Sequence, residues 1–221
     1  MALNVVFDCD LFIAVSKPHD IAFHCEPASH TTLEESGRRS IQGFVSLVRE
    51  HYPNQTLYPV HRLDRVTSGL MIFAKTAEAN SQLSKLFEQR KVKKHYLALS
   101  ERKPKKKQGL ISGDMVKARG GSYKLTQTHE NPAVTRFQSK KIGSLWGFLL
   151  KPETGKTHQL RVACKALGSP ILGDERYGGA ESDRCYLHSY RIRFELNETS
   201  YELCAEPINE RLKACASAFE A

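Results

Sequence analysis

The sequence has no long hydrophobic run. Its apolar stretches are as short as Leu11 to Val15, far below the roughly 20 residues that cross a bilayer, which excludes a helical membrane protein. No basic segment opens the N-terminus, and Asp8 and Asp10 interrupt the apolar stretch there, so no secretory signal is expected. The cysteines Cys9, Cys25, Cys164, Cys185, Cys204 and Cys215 stand singly and none forms a CxxC pair, which argues against a zinc site of the usual spacing. With no export signal they read as buried thiols of a reducing compartment, and a cytoplasmic protein is expected. Fixed-period repeats and low-complexity linkers are missing. A glycine-rich loop of the Walker or dinucleotide type is missing too, which leaves nucleotide-cofactor chemistry without support.

What is abundant is positive charge. Lys and Arg number 33 against 24 acids, a net +9, and an excess of this kind favours a polyanionic partner such as nucleic acid. The 40% hydrophobic and 26% charged composition is that of a soluble globular protein. The length of 221 residues suits one catalytic domain spanning 1–221.

Leu11–Val15 reads as a first strand, stopped by Ser16-Lys17-Pro18. Thr32 and Glu35 have the spacing of a capping box for a helix carrying Ile41, Phe44, Val45 and Val48. A strand is expected at Leu70–Ala74, then a helix capped by Thr76 with Leu83, Leu86 and Phe87 on one stripe. Further strands are expected at Tyr96–Leu99, Ala133–Phe137, Leu145–Leu150, Tyr186–Phe194 and Tyr201–Ala205. Residues 101–132, rich in Lys, Gly and Ser, suggest an extended arm or hairpin. Helical spacing recurs from Thr157 to Leu167 and in a C-terminal helix containing Ile208, Leu212 and Cys215. Strands and helices intersperse without strict βαβ alternation, so the fold class is α+β, with a largely antiparallel mixed sheet and flanking helices.

Three segments carry candidate chemistry. In His61–Gly69, Arg62 and Arg65 flank Asp64, and neighbouring positive charge favours the ionised carboxylate that a nucleophile or base requires. On this block alone, a surface salt bridge in a polar loop is the commoner outcome. Glu153–Arg161 superficially resembles a phosphate loop but lacks its leading glycine. What is left is a basic helix start able to face an anion. There Arg161 is either a buried partner for a carboxylate or, more commonly, a solvated helix residue. Residues 90–107 hold nine Lys or Arg, Lys105, Lys106 and Lys107 among them, against the single acid Glu101. So one-sided a balance favours polyanion contact over a solvated face. Tyr96, beside this run, is placed either to stack on a base or to sit half-buried in the core.

The string His61-Arg62-Leu63-Asp64-Arg65-Val66-Thr67-Ser68-Gly69-Leu70 resembles the HRLDxxTSGL signature of the RluA-type RNA pseudouridine synthases. Lys17-Pro18, Lys94–Ala98, Gly155–Val162, Pro170–Asp174 and Leu187–Ser189 are similar to further ordered motifs of that family, so the resemblance spans nearly the whole chain. Three positions depart from the pattern: Lys156 in place of Arg, Ser189 in place of Ala, and Ala163 where His is frequent.

The resemblance implies the pseudouridine synthase fold with a central RNA-binding cleft, and no N-terminal S4-like domain. It implies isomerisation of uridine to pseudouridine in transfer RNA or a ribosomal RNA stem-loop, by a monomer needing no cofactor and no metal. Asp64 is then the essential catalytic carboxylate. Arg161 and Tyr96 support it, Tyr96 and Leu160 pack against the base, and Arg62 helps extrude it. Lys105, Lys106 and Lys107 are expected to bind RNA. A non-catalytic RNA-binding or chaperone-like protein on the same fold is the alternative.

Overall fold

The computed structural model describes residues 3–27 and 40–220. The chain opens with β1 (Asn4–Asp8), β2 (Phe12–Lys17), the short β3 (Glu26–Pro27) and β4 (Ser40–Ile41), and α1 (Phe44–His51). It continues with β5 (Tyr58–Pro59), β6 (Ser68–Ala74), α2 (Ala77–Glu88), β7 (Lys93–Ser100), β8 (Gln108–Gly113), β9 (Met115–Lys117) and β10 (Tyr123–Leu125). The last third holds β11 (Ala133–Ile142), β12 (Leu145–Pro152), α3 (Gln159–Ala166), β13 (Leu187–Leu196), β14 (Thr199–Cys204) and α4 (Glu210–Glu220).

One sheet runs β1-β2-β6-β13-β7-β12-β11-β8, with β14 added on β13 and β5 on β6. Its pairings are antiparallel except β6 with β13. This is the α+β class with a mostly antiparallel sheet.

The two-residue period of a strand sorts the apolar side chains onto two faces. On one face Ile13, Val15, Met71 and Phe73 join a core with Phe44 and Val48 of α1, Cys164 of α3 and Leu212 of α4. On the other, Phe12, Ala14, Leu70 and Ile72 pack with Ala79 and Leu83 of α2 and with Ile192 and Phe194. Every residue of β6 is buried, which explains why its sequence is a continuous apolar run rather than an alternation.

Several boundaries follow from local chemistry. Thr76 accepts from the Ala79 N–H at 3.1 Å and starts α2 as expected. The Thr32–Glu35 capping box lies outside the described residues. Ile41 belongs to β4, paired with Glu26, and α1 begins only at Phe44. At Gly43 a Cβ would come within 2.2 Å of the His24 carbonyl carbon. This close approach lets the Ala22 and Phe23 carbonyls accept the first free N–H groups of α1. The third helix starts at Gln159 rather than Thr157, because His158 takes a left-handed φ of 59°. Asn209 Oδ1 accepts from the N–H of Arg211 and Leu212 and caps α4, so Ile208 lies before the helix and is exposed. Within 101–132, β8 is an edge strand of the main sheet and only β9 and β10 form a separate hairpin.

The β6–β13 crossing rests on a glycine. Gly69 has φ +107°, and a Cβ there would lie 2.2 Å from the Ser189 carbonyl oxygen. Gly143, at φ +57° with nothing within 4 Å, is the contrast. Gly143→Ala should cost only the about 1–2 kcal/mol of left-handed strain. Gly69→Ala should cost clearly more, because it also separates the two strands. Chemical denaturation of the two variants checks this, and equal losses would contradict it.

Candidate active site

Asp64 opens a β-turn in which the Thr67 N–H donates to the Asp64 carbonyl at 3.0 Å, and Asp is favoured at the first position of such turns. The turn feeds directly into buried β6. Beneath it, Lys17 is 1% exposed. Its Nζ donates to the carbonyls of Pro18 and Ile21, each at 2.8 Å, and of Arg65 at 3.0 Å. Three donors meet three acceptors, so the end of β2 is tied to the Asp64 turn. Burial pushes the Lys17 pKa down to about 8, against the raising influence of Asp20 and Asp64. Sequence reasoning saw in Lys17 a strand terminator and a motif residue, and missed this anchoring.

Gln159 sets the start of α3. Its Oε1 accepts from Thr154 Oγ1 at 2.7 Å and from the Lys156 N–H at 3.0 Å, and its Nε2 donates to the Val134 carbonyl and Thr135 Oγ1, each at 2.9 Å. This buried amide pins the 153–158 loop to β11. From that start, Arg161 points at two carboxylates. Nε and Nη2 bind Asp174 at 2.8 and 2.7 Å, and Nη1 reaches Asp64 Oδ2 at 3.3 Å. The guanidinium also lies over the Tyr177 ring, 5.0 Å from its centroid. Burial works against the Arg161 charge, but the hydrogen bonds and charge of Asp174, with the charge of Asp64, outweigh it and raise its pKa.

The sequence therefore pointed to Arg161 as a partner for Asp64, and the two do meet. The two-bond fork, however, is closed on Asp174 and not on Asp64. The reason is exposure: the Asp174 side chain is 1% exposed and that of Asp64 23%. The more deeply buried charge has the greater need of a bidentate partner. In the sequence the signal for Asp174 is its place at the end of the Pro170–Asp174 motif, where Gly173-Asp174 follows a short apolar run.

A cavity of about 490 Å³ opens at this point, lined by Asp64, Thr67, Tyr96, His158, Leu160 and Arg161. Exposed Arg62 lies at the same cavity, with its guanidinium 5.7 Å from the Phe23 ring centroid. Burial pushes the Tyr96 phenol up to about 12; the Ser189 hydroxyl pulls it down and the Asp64 charge adds to the rise. Ser189 faces Tyr96 in the β7–β13 register. Tyr177 accepts from the Tyr123 N–H at 3.1 Å, so its own hydroxyl proton is free to meet His158 Nδ1 at 2.8 Å. That docks the β9–β10 hairpin against the cavity rim. In the sequence His158 stands within the Gly155–Val162 motif with no role of its own, and Tyr177 stands in no spacing that marks chemistry.

Lys105, Lys106 and Lys107 lie elsewhere. They are exposed in the β7–β8 connection, where the Lys105 N–H donates to the Leu167 carbonyl, at the far end of α3 from Gln159. They do not line the cavity. Among the described residues no group of three or more His, Cys, Asp or Glu is arranged to hold a metal ion.

Behind the cavity a directed chain runs from Arg184 Nη2 to Ser68 Oγ at 2.6 Å, from the Ser68 hydroxyl to His188 Nδ1 at 2.8 Å, and from His188 Nε2 to the Ala205 carbonyl at 2.8 Å. Burial lowers the His188 pKa from 6.5 to about 4, with the Ala205 hydrogen bond opposing.

Two predictions follow from these pairings. Asp174→Asn should lower stability strongly, by about 3–5 kcal/mol, because it strands a buried guanidinium. Asp64→Asn, losing one longer and more exposed contact, should leave the melting temperature near wild type; equal losses would contradict the assignment. For His188 the unfolded chain binds a proton below pH 6.5 that the folded chain refuses until about pH 4. Its contribution is thus intact above pH 6.5 and is lost as the pH falls through that window, by about 1.4 kcal/mol per unit. His188→Gln should lower stability at neutral pH but flatten this slope, as thermal melts across the window would read out.

Comparison with known proteins identifies the family. The family model for RNA pseudouridylate synthase matches residues 11–166. An uncharacterized RNA pseudouridine synthase of Haemophilus influenzae is 49% identical over 198 residues, covering 88% of this chain and 83% of that protein. Ribosomal large subunit pseudouridine synthase C of Rickettsia felis is 32% identical over 197 residues, 85% of this chain but 61% of that protein. The solved structure of human RNA pseudouridylate synthase domain containing 1 superposes with a TM-score of 0.75 at 27% identity, over 97% of this chain and 87% of that one. The family model runs from β2 through α3 and takes in Asp64, Tyr96, Leu160 and Arg161, and by it and these relatives this chain belongs to the RNA pseudouridylate synthase family, in its RluA-type branch, and so to the isomerases.

Proposed function

We propose that the protein converts specific uridines of structured RNA to pseudouridine, with Asp64 as the essential carboxylate. The observation that carries the reading is the partly enclosed Asp64 carboxylate in a cavity it shares with Tyr96 and Leu160. Tyr96 and Leu160 are 8% and 7% exposed and supply the apolar surfaces a planar base needs.

The reaction moves one bond. The N1–C1′ glycosidic bond breaks, the uracil turns, a C5–C1′ bond forms, and the proton on C5 is replaced by one on N1. Atoms and electrons balance with no added reagent. A single carboxylate serves each route: attack on the sugar, attack on the base, or removal of a sugar proton. Arg161 holds Asp64 through Nη1 while Asp174 and Tyr177 hold Arg161. A stacked or paired uridine cannot reach an enclosed carboxylate, so the nucleotide must leave the helix. We assign its extrusion to Arg62, which is exposed at the cavity. Transfer RNA and ribosomal RNA stem-loops are the proposed substrates; the name of the Rickettsia felis relative favours the large ribosomal subunit for that protein. Six free thiols support a cytoplasmic setting.

Bulk transfer RNA and ribosomal RNA from cells lacking the gene should gain pseudouridine on incubation with the protein, at positions read by chemical mapping. Asp64→Asn should lower turnover at least about a hundredfold while RNA affinity is retained. Near wild-type turnover by Asp64→Asn would overturn the role of Asp64. RNA binding without any new pseudouridine would favour a non-catalytic RNA-binding protein instead.

A further inference from the structure

The α2–β7 corner holds two cations that the chemistry at Asp64 does not use. Lys94 and Arg90 both line the cavity. Neither side chain has a hydrogen bond or an ion pair among the described residues; Lys94 Nζ has only the Phe87 ring, 6.0 Å from its centroid. Burial lowers the Lys94 pKa, as it does for an ammonium taken from water without a carboxylate. The acids of the cavity are engaged elsewhere or out of reach. Asp64 is paired with Arg161 and Glu153 with Arg136. Glu88 stands within salt-bridge distance of neither cation. His61, which accepts from the Ile72 N–H and stacks on Phe87, is held neutral by burial and by Lys94, with its pKa near 3. The local field is therefore positive and unanswered.

Arg90 adds an independent sign. It ends α2 in a Schellman motif: the Lys91 N–H donates to the Leu86 carbonyl at 2.9 Å and the Arg90 N–H to the Phe87 carbonyl at 3.1 Å. Arg90 occupies the left-handed position of that motif at φ 58°, where glycine is the usual residue because it alone avoids Cβ strain. An arginine kept in a glycine position, at the rim of a cavity, disfavours the fold locally.

We propose that Lys94 and Arg90 form a phosphodiester-binding site at the α2–β7 end of the cavity, holding the RNA backbone beside the nucleotide that enters it. This rests on the reading of the protein as an RNA-acting enzyme, and it assigns one wall of the cavity to the strand rather than to the base. An unpaired, partly desolvated cation is matched by a phosphate oxygen, and a phosphodiester has no proton to compete for.

The test uses a short fluorescent oligouridylate, whole or with one neutral methylphosphonate placed at each linkage in turn. Lys94→Met and Arg90→Gly should each bind it several-fold more weakly. Each should lower the log–log salt slope by about 0.7, the value of one single-strand phosphate contact. Lys94→Arg should keep the slope. In wild type, one linkage should be sensitive to methylphosphonate, and Lys94→Met should abolish that sensitivity. Arg90→Gly should at the same time raise the melting temperature, and Lys94→Met should not lower it, whereas residues with a merely structural role would lower it. Unchanged affinity, slope and linkage profile in both variants would overturn the site, as would an oligouridylate that fails to bind wild type at low salt. Because the readout is binding, a wild-type protein that makes no pseudouridine would count against the proposed reaction alone. An active wild type with insensitive Lys94 and Arg90 variants would count against this site alone.

Discussion

Arg161 is the charge around which the site is arranged. Its guanidinium is almost fully buried, and such a group persists only with partners that use its donors. Asp174 takes two of the donor nitrogens, Asp64 a third, and the Tyr177 ring covers one face. Three separate segments of chain, the Asp64 turn, α3 and the 174–177 turn, thus meet at one planar cation. The division of labour follows from burial: the sealed carboxylate of Asp174 holds the arginine, and the half-open one of Asp64 has one contact with it and a face toward the cavity.

That arrangement depends on a scaffold stiff in the right places. The Asp64 turn is held from below by Lys17 and from ahead by a strand buried on both sides. The start of α3 is held by Gln159 with all four of its hydrogen bonds made. The parallel β6–β13 pairing, which only a glycine at position 69 permits, brings Ser68 onto His188 behind the cavity. A loosening of any of these would move Asp64 relative to Arg161 without touching either residue.

The positive charge is spread in two different ways. Lys105, Lys106 and Lys107 are solvated and stand away from the cavity, suited to long-range attraction that salt screens. Lys94 is half-buried in its wall, where a charge acts at short range and is less screened, and Arg90 is exposed at its rim. Nearby His61 and His188 are held neutral by desolvation, so the positive field at the site comes from Lys and Arg.

The sequence by itself determined the fold class and most of the strands and helices, and its resemblance to the family named Asp64, Tyr96, Leu160, Arg161 and Arg62, which the fold brings to one cavity. Strand period, the Thr76 cap and the ordered motifs are local signals, carried by residues close together in the chain. Helix starts at Phe44 and Gln159 were not legible, because Gly43 and His158 act through contacts with distant backbone and through a left-handed φ. The anchoring by Lys17, the fork of Arg161 on Asp174, and the His158–Tyr177 contact were decided only by the tertiary structure. They join residues 48, 13 and 19 positions apart, Lys17 with Arg65 among them, beyond any single strand or helical turn, and which of two carboxylates receives a guanidinium fork is settled by relative burial, a quantity that exists only once the chain has closed on itself.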